Sequence, residues 1–251
     1  MSIPIVAFWS GGKDSALSLA RLQRDPAYSV AALITTLNRD VQRVSMHGVR
    51  ESLIDIQADA IGFPLDKMYV GSGGTNEEYI AALREKLTAY KARGITHVAF
   101  GDIFLEDLRQ WRESLLSETG ITGVFPLWKE DTRHLAAEFV EQGFKAITCC
   151  INDARLSRDD VGRSLDQTFF DGLPPGVDPC GENGEYHTFV YDGPIFKRPV
   201  RFARGEVVYR PLQSPAATSD SAGPRISVPT TSAPGQTKGF WFADFLPENA
   251  R

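Results

Sequence analysis

The sequence predicts an α/β protein: a parallel sheet covered by helices on both faces, joined to a smaller α+β unit. Three features of the chain lead there. Short apolar runs alternate with longer helical stretches from Ile3 onward, the pattern of βαβ units. A glycine loop, Ser10 to Ser15, sits at the first strand-to-helix junction. After Asn152 the alternation gives way to turns, a hairpin-like stretch and a polar segment.

Each element follows from periodicity and punctuation. Ile3 to Trp9 is an apolar strand, and Ala16, Leu17, Leu19, Ala20 and Leu22 recur at helical spacing until Pro26. Tyr28 to Leu37 is a buried strand, and Val49, Leu53, Ile56 and Ala60 share one helical face before Gly62 and Pro64. Lys67 to Val70 is a short strand, Glu77 to Arg93 a long helix stopped by Gly94, and Thr96 to Phe100 a strand. Leu105 to Ser117 reads as helix, Gly123 to Leu127 as strand, Asp131 to Gln142 as helix and Phe144 to Ile151 as the last strand of the alternating series. Beyond it a helix is expected over Val161 to Phe170, then turns from Gly172 to Gly176 and a hairpin over Tyr186 to Phe196. Gln213 to Lys238 has almost no large apolar residue and reads as mobile, whereas Phe240 to Phe245 is aromatic enough to pack back as an edge strand. The expected division is 1–130 for the α/β domain, 131–212 for the smaller one, 213–239 for the polar segment and 240–251 for the aromatic terminus.

Composition narrows the class of function. With 251 residues, 42% hydrophobic and 24% charged, the chain has material for a real core. Its apolar runs, such as Val30 to Ile34 and Ala146 to Ile151, fall far short of the roughly 18–20 residues that span a bilayer. The first basic residue is Lys13 and the first apolar run is short, so a secretory signal is not expected. Three cysteines fit a reducing compartment, and a cytoplasmic location is expected. A net charge of −5 argues against an extended nucleic-acid surface and favours small-molecule chemistry.

Two constellations carry chemistry. At the start of a helix after a strand, backbone amides face outward and glycines let an anion approach them; Ser10-Gly11-Gly12-Lys13-Asp14-Ser15 adds two hydroxyls and a cation there. The alternative is an ordinary glycine turn capped by Asp14 or Ser15. The string matches neither the Walker A nor the dinucleotide pattern. Gly101-Asp102 ends the fourth expected strand, at the edge where open parallel sheets bind ligands, and Thr35 reaches the same edge. Glu106, Arg109 and Glu113 follow on one helical stripe, either facing that edge or forming a solvated ion-pair ladder. The second constellation, Asp178 to Phe189, packs acids, an amide, an imidazole, a thiol and two glycines into one loop, where Glu182 and Glu185 suit proton transfer or cation binding and His187 suits orienting a carboxylate. A hairpin turn with solvent-facing acids is the plainer reading. Cys180 has no partner at zinc-ligand spacing, and Cys149 and Cys150 read as buried hydrophobes. His97 and His134 and the four tryptophans read mainly as surface or packing residues.

The first string resembles the PP-loop of ATP pyrophosphatases. Together with Met46-His47-Gly48-Val49-Arg50, Phe100-Gly101-Asp102-Ile103, Pro126-Leu127-Trp128 and Pro179-Cys180-Gly181-Glu182-Asn183-Gly184-Glu185-Tyr186-His187-Thr188-Phe189, it is similar in order to the diphthine–ammonia ligase family. The resemblance implies a HUP-type ATP-binding domain and ATP-dependent amidation, in which a diphthine carboxylate on translation elongation factor 2, or another carboxylate, is adenylated and ammonia displaces AMP. It implies Lys13, Asp14, Asp102, Glu182, Glu185 and His187 as catalytic. It implies nucleotide contacts from Ser10, Gly11, Gly12, Lys13, Asp14, Ser15, Thr35, His47, Gly101 and Asp102, with Asp14 supporting Mg2+. Acceptor contacts are expected from Glu106, Arg109, Arg112, Glu113, Cys180, Gly181, Glu182, Asn183 and Tyr186. A homo-oligomer and the absence of a membrane partner are further expectations. Two other readings stand beside it: a nucleotide-binding regulatory module, which needs no second polar cluster, and a tRNA-modifying PP-loop enzyme, which needs a reactive cysteine pair.

Overall fold

The computed structural model describes residues 2–71, 76–212 and 238–248. Strand β1 (Ile3–Phe8) passes through the glycine loop into helix α1 (Lys13–Arg24). Strand β2 (Tyr28–Asn38), the two-residue β3 (Arg43–Val44), helix α2 (Glu51–Ile61), β4 (Leu65–Val70), helix α3 (Asn76–Ala92) and β5 (His97–Ala99) follow, then helix α4 (Glu106–Thr119) and β6 (Thr122–Val124). The parallel strands lie in the order β4-β2-β1-β5-β6. Beyond the end of β1, β3 pairs antiparallel with Leu37 and Asn38 on the same edge of β2. The chain steps from β1 to one side and later to β5 on the other, so the carboxyl ends of β1 and β5 border the crevice of a topological switch point.

Alternation along the strands feeds two cores. Val6, Ala32, Ile34 and Phe100 pack with Leu83, Leu87 and Leu116 on the α3 and α4 side. Ile5, Ala7, Leu33 and Leu37 pack with Leu17, Leu19 and Leu53 on the other, and this second cluster continues without a break into Cys150, Phe189 and Phe245. The two parts of the chain are thus joined by a shared apolar core.

Those last residues belong to a four-stranded antiparallel sheet. Helix α5 (Thr132–Glu141), capped by Asp131 accepting from the His134 amide at 2.9 Å, leads into β7 (Lys145–Asn152); a 3-10 turn (Arg158–Asp160), helix α6 (Gln167–Asp171), β8 (Tyr186–Asp192), β9 (Phe202–Pro211) and β10 (Gly239–Pro247) complete it. The order is β8-β7-β10-β9.

Four expectations need correction. The run Phe144 to Ile151 forms β7 of this second sheet and pairs only antiparallel, because an apolar run records burial on both faces and not the identity of its partner. The helix expected from Val161 shrinks to α6: Gly162, Arg163 and Leu165 hydrogen-bond with Thr148 and Ala146 along β7, and those backbone bonds outweigh local propensity. The hairpin expected to Phe196 ends as a strand at Asp192, and the antiparallel partner of β9 is β10. The aromatic terminus is an interior strand, not an edge, with β7 on one side and β9 on the other. Most of the 213–239 segment, residues 213–237, lies outside the described residues.

Phe245 on β10 is 2% exposed and packs against Phe189 and Phe202 at ring distances of 5.9 and 5.1 Å. Phe245→Ala is expected to cost about 3–5 kcal/mol of stability, as emptying a core aromatic site does. Denaturant unfolding measures it, and a loss below about 1 kcal/mol would mean that β10 is no core strand.

Candidate active site

Three stretches meet at the carboxyl ends of β1 and β5. The first is the glycine loop. Gly11 has φ +79°, and a Cβ there would lie 2.7 Å from Ile54 Cδ1 and 2.8 Å from Gln57 Oε1, so only glycine fits. Ser10 Oγ accepts from the Gly12 amide at 3.3 Å, and Ser15 Oγ donates to the Gly12 carbonyl at 2.8 Å. In the first turn of α1 the Lys13 amide donates to Thr188 Oγ1 at 3.0 Å, and the next two amides, of Asp14 and Ser15, stand where a helix start presents its donors to an anion. Gly101 rests against this turn: a Cβ on it would stand 3.2 Å from the Ser15 nitrogen and crowd those donors.

Lys13 is no free arm. It is 2% exposed, its Nζ lies 2.8 Å from both Asp14 oxygens, and it donates to the Cys180 carbonyl while sitting 5.4 Å over the Tyr186 ring. Burial alone would depress the ammonium, but Asp14 and its other neighbours raise it above its ordinary value, so Lys13 stays charged. Asp14 is turned onto Lys13, and among the described residues no group of three or more His, Cys, Asp or Glu side chains is arranged to hold a metal ion.

The second stretch is the loop from Asp178 to Tyr186. Asp178 Oδ2 accepts from the amides of Cys180 and Glu182 at 2.9 and 3.0 Å. Glu185, 2% exposed, accepts from the Asp178 and Asn183 amides at 3.1 and 3.0 Å, and Tyr186 donates to the Pro179 carbonyl. Gly181, at φ +67°, allows the close return of the chain, since a Cβ there would lie 2.7 Å from the Tyr186 carbonyl oxygen. Glu182 faces the other way: its Oε1 accepts from the Ile103 amide at 2.9 Å, beyond the end of β5. Burial first, then the charges of Asp14 and Asp102, push its carboxyl up to about 8. That value suits proton exchange near neutrality.

The third stretch brings two imidazoles over the glycine loop. His47 and His187 lie 4.6 Å apart, centre to centre, and a Cβ on Gly12 would fall 2.6 Å from His47 Cε1. His47 Nδ1 is 3.0 Å from the Thr188 carbonyl, which assigns the proton to Nδ1 and leaves Nε2 as an acceptor. Burial and the Lys13 charge lower His47 to about 4, and burial, His47 and Lys13 lower His187 as well. Both rings are neutral at pH 7.

The remaining expected residues are placed differently. Asp102 is bound by Arg112 at 2.7 and 3.4 Å, with the guanidinium 4.3 Å over Phe100. Arg109 lies over Phe125 and Trp128 at 4.6 and 4.5 Å and pairs with Glu113 at 2.7 Å, while Glu106 pairs with Lys129 at 3.5 Å. The stripe of Glu106, Arg109 and Glu113 thus forms ion pairs, and the next residue inward, Arg112, joins the site. Thr35 is fully buried in β2, with its Oγ1 lacking a hydrogen-bond partner among the described residues. Cys180 presents its carbonyl to Lys13, while its buried thiol donates to the Thr132 carbonyl and is pushed up by burial, so it is no reactive thiol. Cys149 and Cys150 are raised by burial too. Glu185 braces its loop rather than facing the crevice.

Sequence reasoning passed over Gln57 and gave Thr188 and Asp178, within the second constellation, no role of their own. Gln57, fully buried in α2, takes the Trp9 indole N–H at 2.7 Å and donates to the carbonyls of Gly11 and Val190. A polar residue in the apolar stripe of a helix was the available signal.

Residues 3–123 match the diphthamide synthase N-terminal domain and residues 131–212 its C-terminal domain. The chain belongs to the diphthamide synthase family. Curated relatives agree. It is 27% identical to the diphthine–ammonia ligase of Schizosaccharomyces pombe over 81% of this chain, and spans 37% of that protein's length. The diphthine–ammonia ligase of Danio rerio is 26% identical over 81% of this chain and 88% of its own, and that of Rattus norvegicus 26% identical over 92% and 95%. Within this diphthamide synthase fold, β10 lies outside both matched domains.

A folded pKa of about 8 for Glu182 has a consequence for stability. Between the ordinary carboxylate value and about 8, the native state holds a proton that the unfolded chain has released, so this group's contribution is lost as pH rises toward 8. Glu182→Gln keeps a carbonyl for the Ile103 amide and removes the titration. The stability of the variant relative to wild type is expected to grow from pH 6 to pH 8.5 in denaturant unfolding; parallel profiles would reject a buried, protonated Glu182.

Proposed function

We infer that the protein is an ATP-dependent amide-forming ligase acting on a diphthine-type carboxylate with ammonia. The observation that carries this reading is the meeting of the anion-ready start of α1 with the buried acid Glu182 and the neutral His47 and His187 pair. A pure nucleotide binder needs only the first of these. The family's curated members carry the name of the reaction.

In this reading the polyphosphate lies on the Asp14 and Ser15 amides, and Lys13 supplies positive charge from beneath the loop. The acceptor carboxylate attacks the α-phosphorus; a P–O bond to the carboxylate forms, the α–β bridge breaks and pyrophosphate leaves. Ammonia then adds to the acyl carbon through its lone pair, the acyl–oxygen bond to AMP breaks, and the nitrogen sheds one proton. Ionised Glu182 or the neutral His187 imidazole takes that proton. The acceptor is a diphthine residue on translation elongation factor 2, or another carboxylate where that modification is absent. Magnesium would enter with the nucleotide, and the protein would act in the cytoplasm.

The direct test is product analysis. AMP and pyrophosphate should form in step with amide, and only when carboxylate and ammonium are both present; ADP and phosphate as the products would reject the adenylate. Glu182→Gln is expected to lower turnover by about 10²–10⁴-fold with ATP affinity within about twofold of wild type. Glu185→Ala should instead cost about 1–3 kcal/mol in stability, because it leaves two half-buried amides without their carboxylate. If Glu182→Gln turned over normally, the acid–base role would fall.

A further inference from the structure

We propose that Asp244, on the last strand, is a positioning residue that holds the His47 loop over the glycine loop. The inference rests on ATP binding at that loop. Asp244 is carried by β10, outside both matched family domains, yet it reaches the first domain: its Oδ1 accepts from Arg43 Nη1 at 2.9 Å and Arg50 Nε at 2.9 Å, and its Oδ2 from Arg50 Nη2 at 2.6 Å. The strand is shaped for this. Ala243 pairs with Val207 and Phe245 with Arg204, so Gly205 and Glu206 together oppose Asp244, a bulge of the kind that re-aims a side chain. Gly205 makes room, since a Cβ on it would stand 3.2 Å from Asp244 Cβ.

The two arginines bracket the loop that carries His47. Arg43 opens β3 before it and also donates to the Gly48 carbonyl at 2.8 Å; Arg50 caps the start of α2 after it. Met46 and Gly48 on either side of His47 have φ of +65° and +71°, a conformation that methionine adopts only when its surroundings impose it. Phe242, two residues before Asp244 on the same face of β10, fills the space beside Gly48, where a Cβ would meet its ring at 2.7 Å. Held this way, the His47 ring roofs Gly12 and stacks beside His187. The side chain is only 17% exposed, so its charge is poorly screened, and the bonds from Arg50 and Arg43 hold its carboxyl below the ordinary range although burial works against them. Asp244 therefore stays ionised and the clamp closed at neutral pH.

The test is Asp244→Asn, assayed where the variant is fully folded. The apparent KM for ATP in pyrophosphate release should rise at least fivefold with kcat within twofold, and the His47 ring resonance in NMR should titrate at higher pH as the ring gains solvent, with those of His97 and His134 unmoved. A general loss of stability would not single out one histidine. Wild-type values for both KM and the His47 titration would overturn the proposal. Were wild type itself to release no pyrophosphate with ATP, the ligase reading would fall, and the His47 titration would still decide whether Asp244 holds the loop. If Asp244→Asn does not fold, Arg43→Ala carries the same two measurements, because it removes the nitrogen that bonds both Asp244 and the Gly48 carbonyl; unchanged values there would overturn the proposal equally.

Discussion

The glycine loop is held open by a strand that comes long after it. The Lys13 amide donates to Thr188, the Val190 amide donates to the Gly11 carbonyl at 2.9 Å, and Gln57 ties that carbonyl to Val190. A loop rich in glycine has a large conformational entropy to lose, and local bonds alone are too few to offset it. Strand β8 supplies the missing bonds, and burial of Gln57 with Trp9 shields them from water. The positions of His187 and of the Glu182 loop follow from this docking, because β8 carries the one and ends the other.

Charge is arranged around the same contact. Lys13 is buried with Asp14 as its partner, and its ammonium also satisfies the Cys180 carbonyl. An unpaired cation in that position would be costly; paired, it ties one domain to the other and keeps a positive potential under the phosphate loop. Burial, with that potential, keeps His47 and His187 neutral, and burial, with the neighbouring Asp14 and Asp102, raises Glu182 to about 8. Neutral imidazoles and a carboxyl that exchanges its proton near neutrality thus stand within one crevice because their environments push them in opposite directions.

The shared core explains why the smaller part of the chain is no detachable lid. Phe189, Phe245 and Cys150 belong to the cluster that contains Ile5 and Leu17, so opening the two sheets apart would expose apolar surface throughout. Motion that admits substrates has to come from side chains and loops at the crevice rim.

The alternation of apolar runs and amphipathic helices was enough to specify the parallel sheet, the glycine loop at its first crossover and the polar loop near Glu182, since each is a local pattern with a period or a punctuation of its own. The partner of β7, the interior place of β10, the docking of Thr188 on Lys13 and the inward turn of Arg112 were decided only by tertiary structure. An apolar run satisfies its hydrogen bonds equally well beside any strand that fits its register, and a charged side chain takes its role from what lies opposite. Lys13 and Glu185 make the point: both stood out as chemistry in the sequence, and burial turned one into a cation paired with Asp14 and bonded to the Cys180 carbonyl, the other into the brace of its own loop.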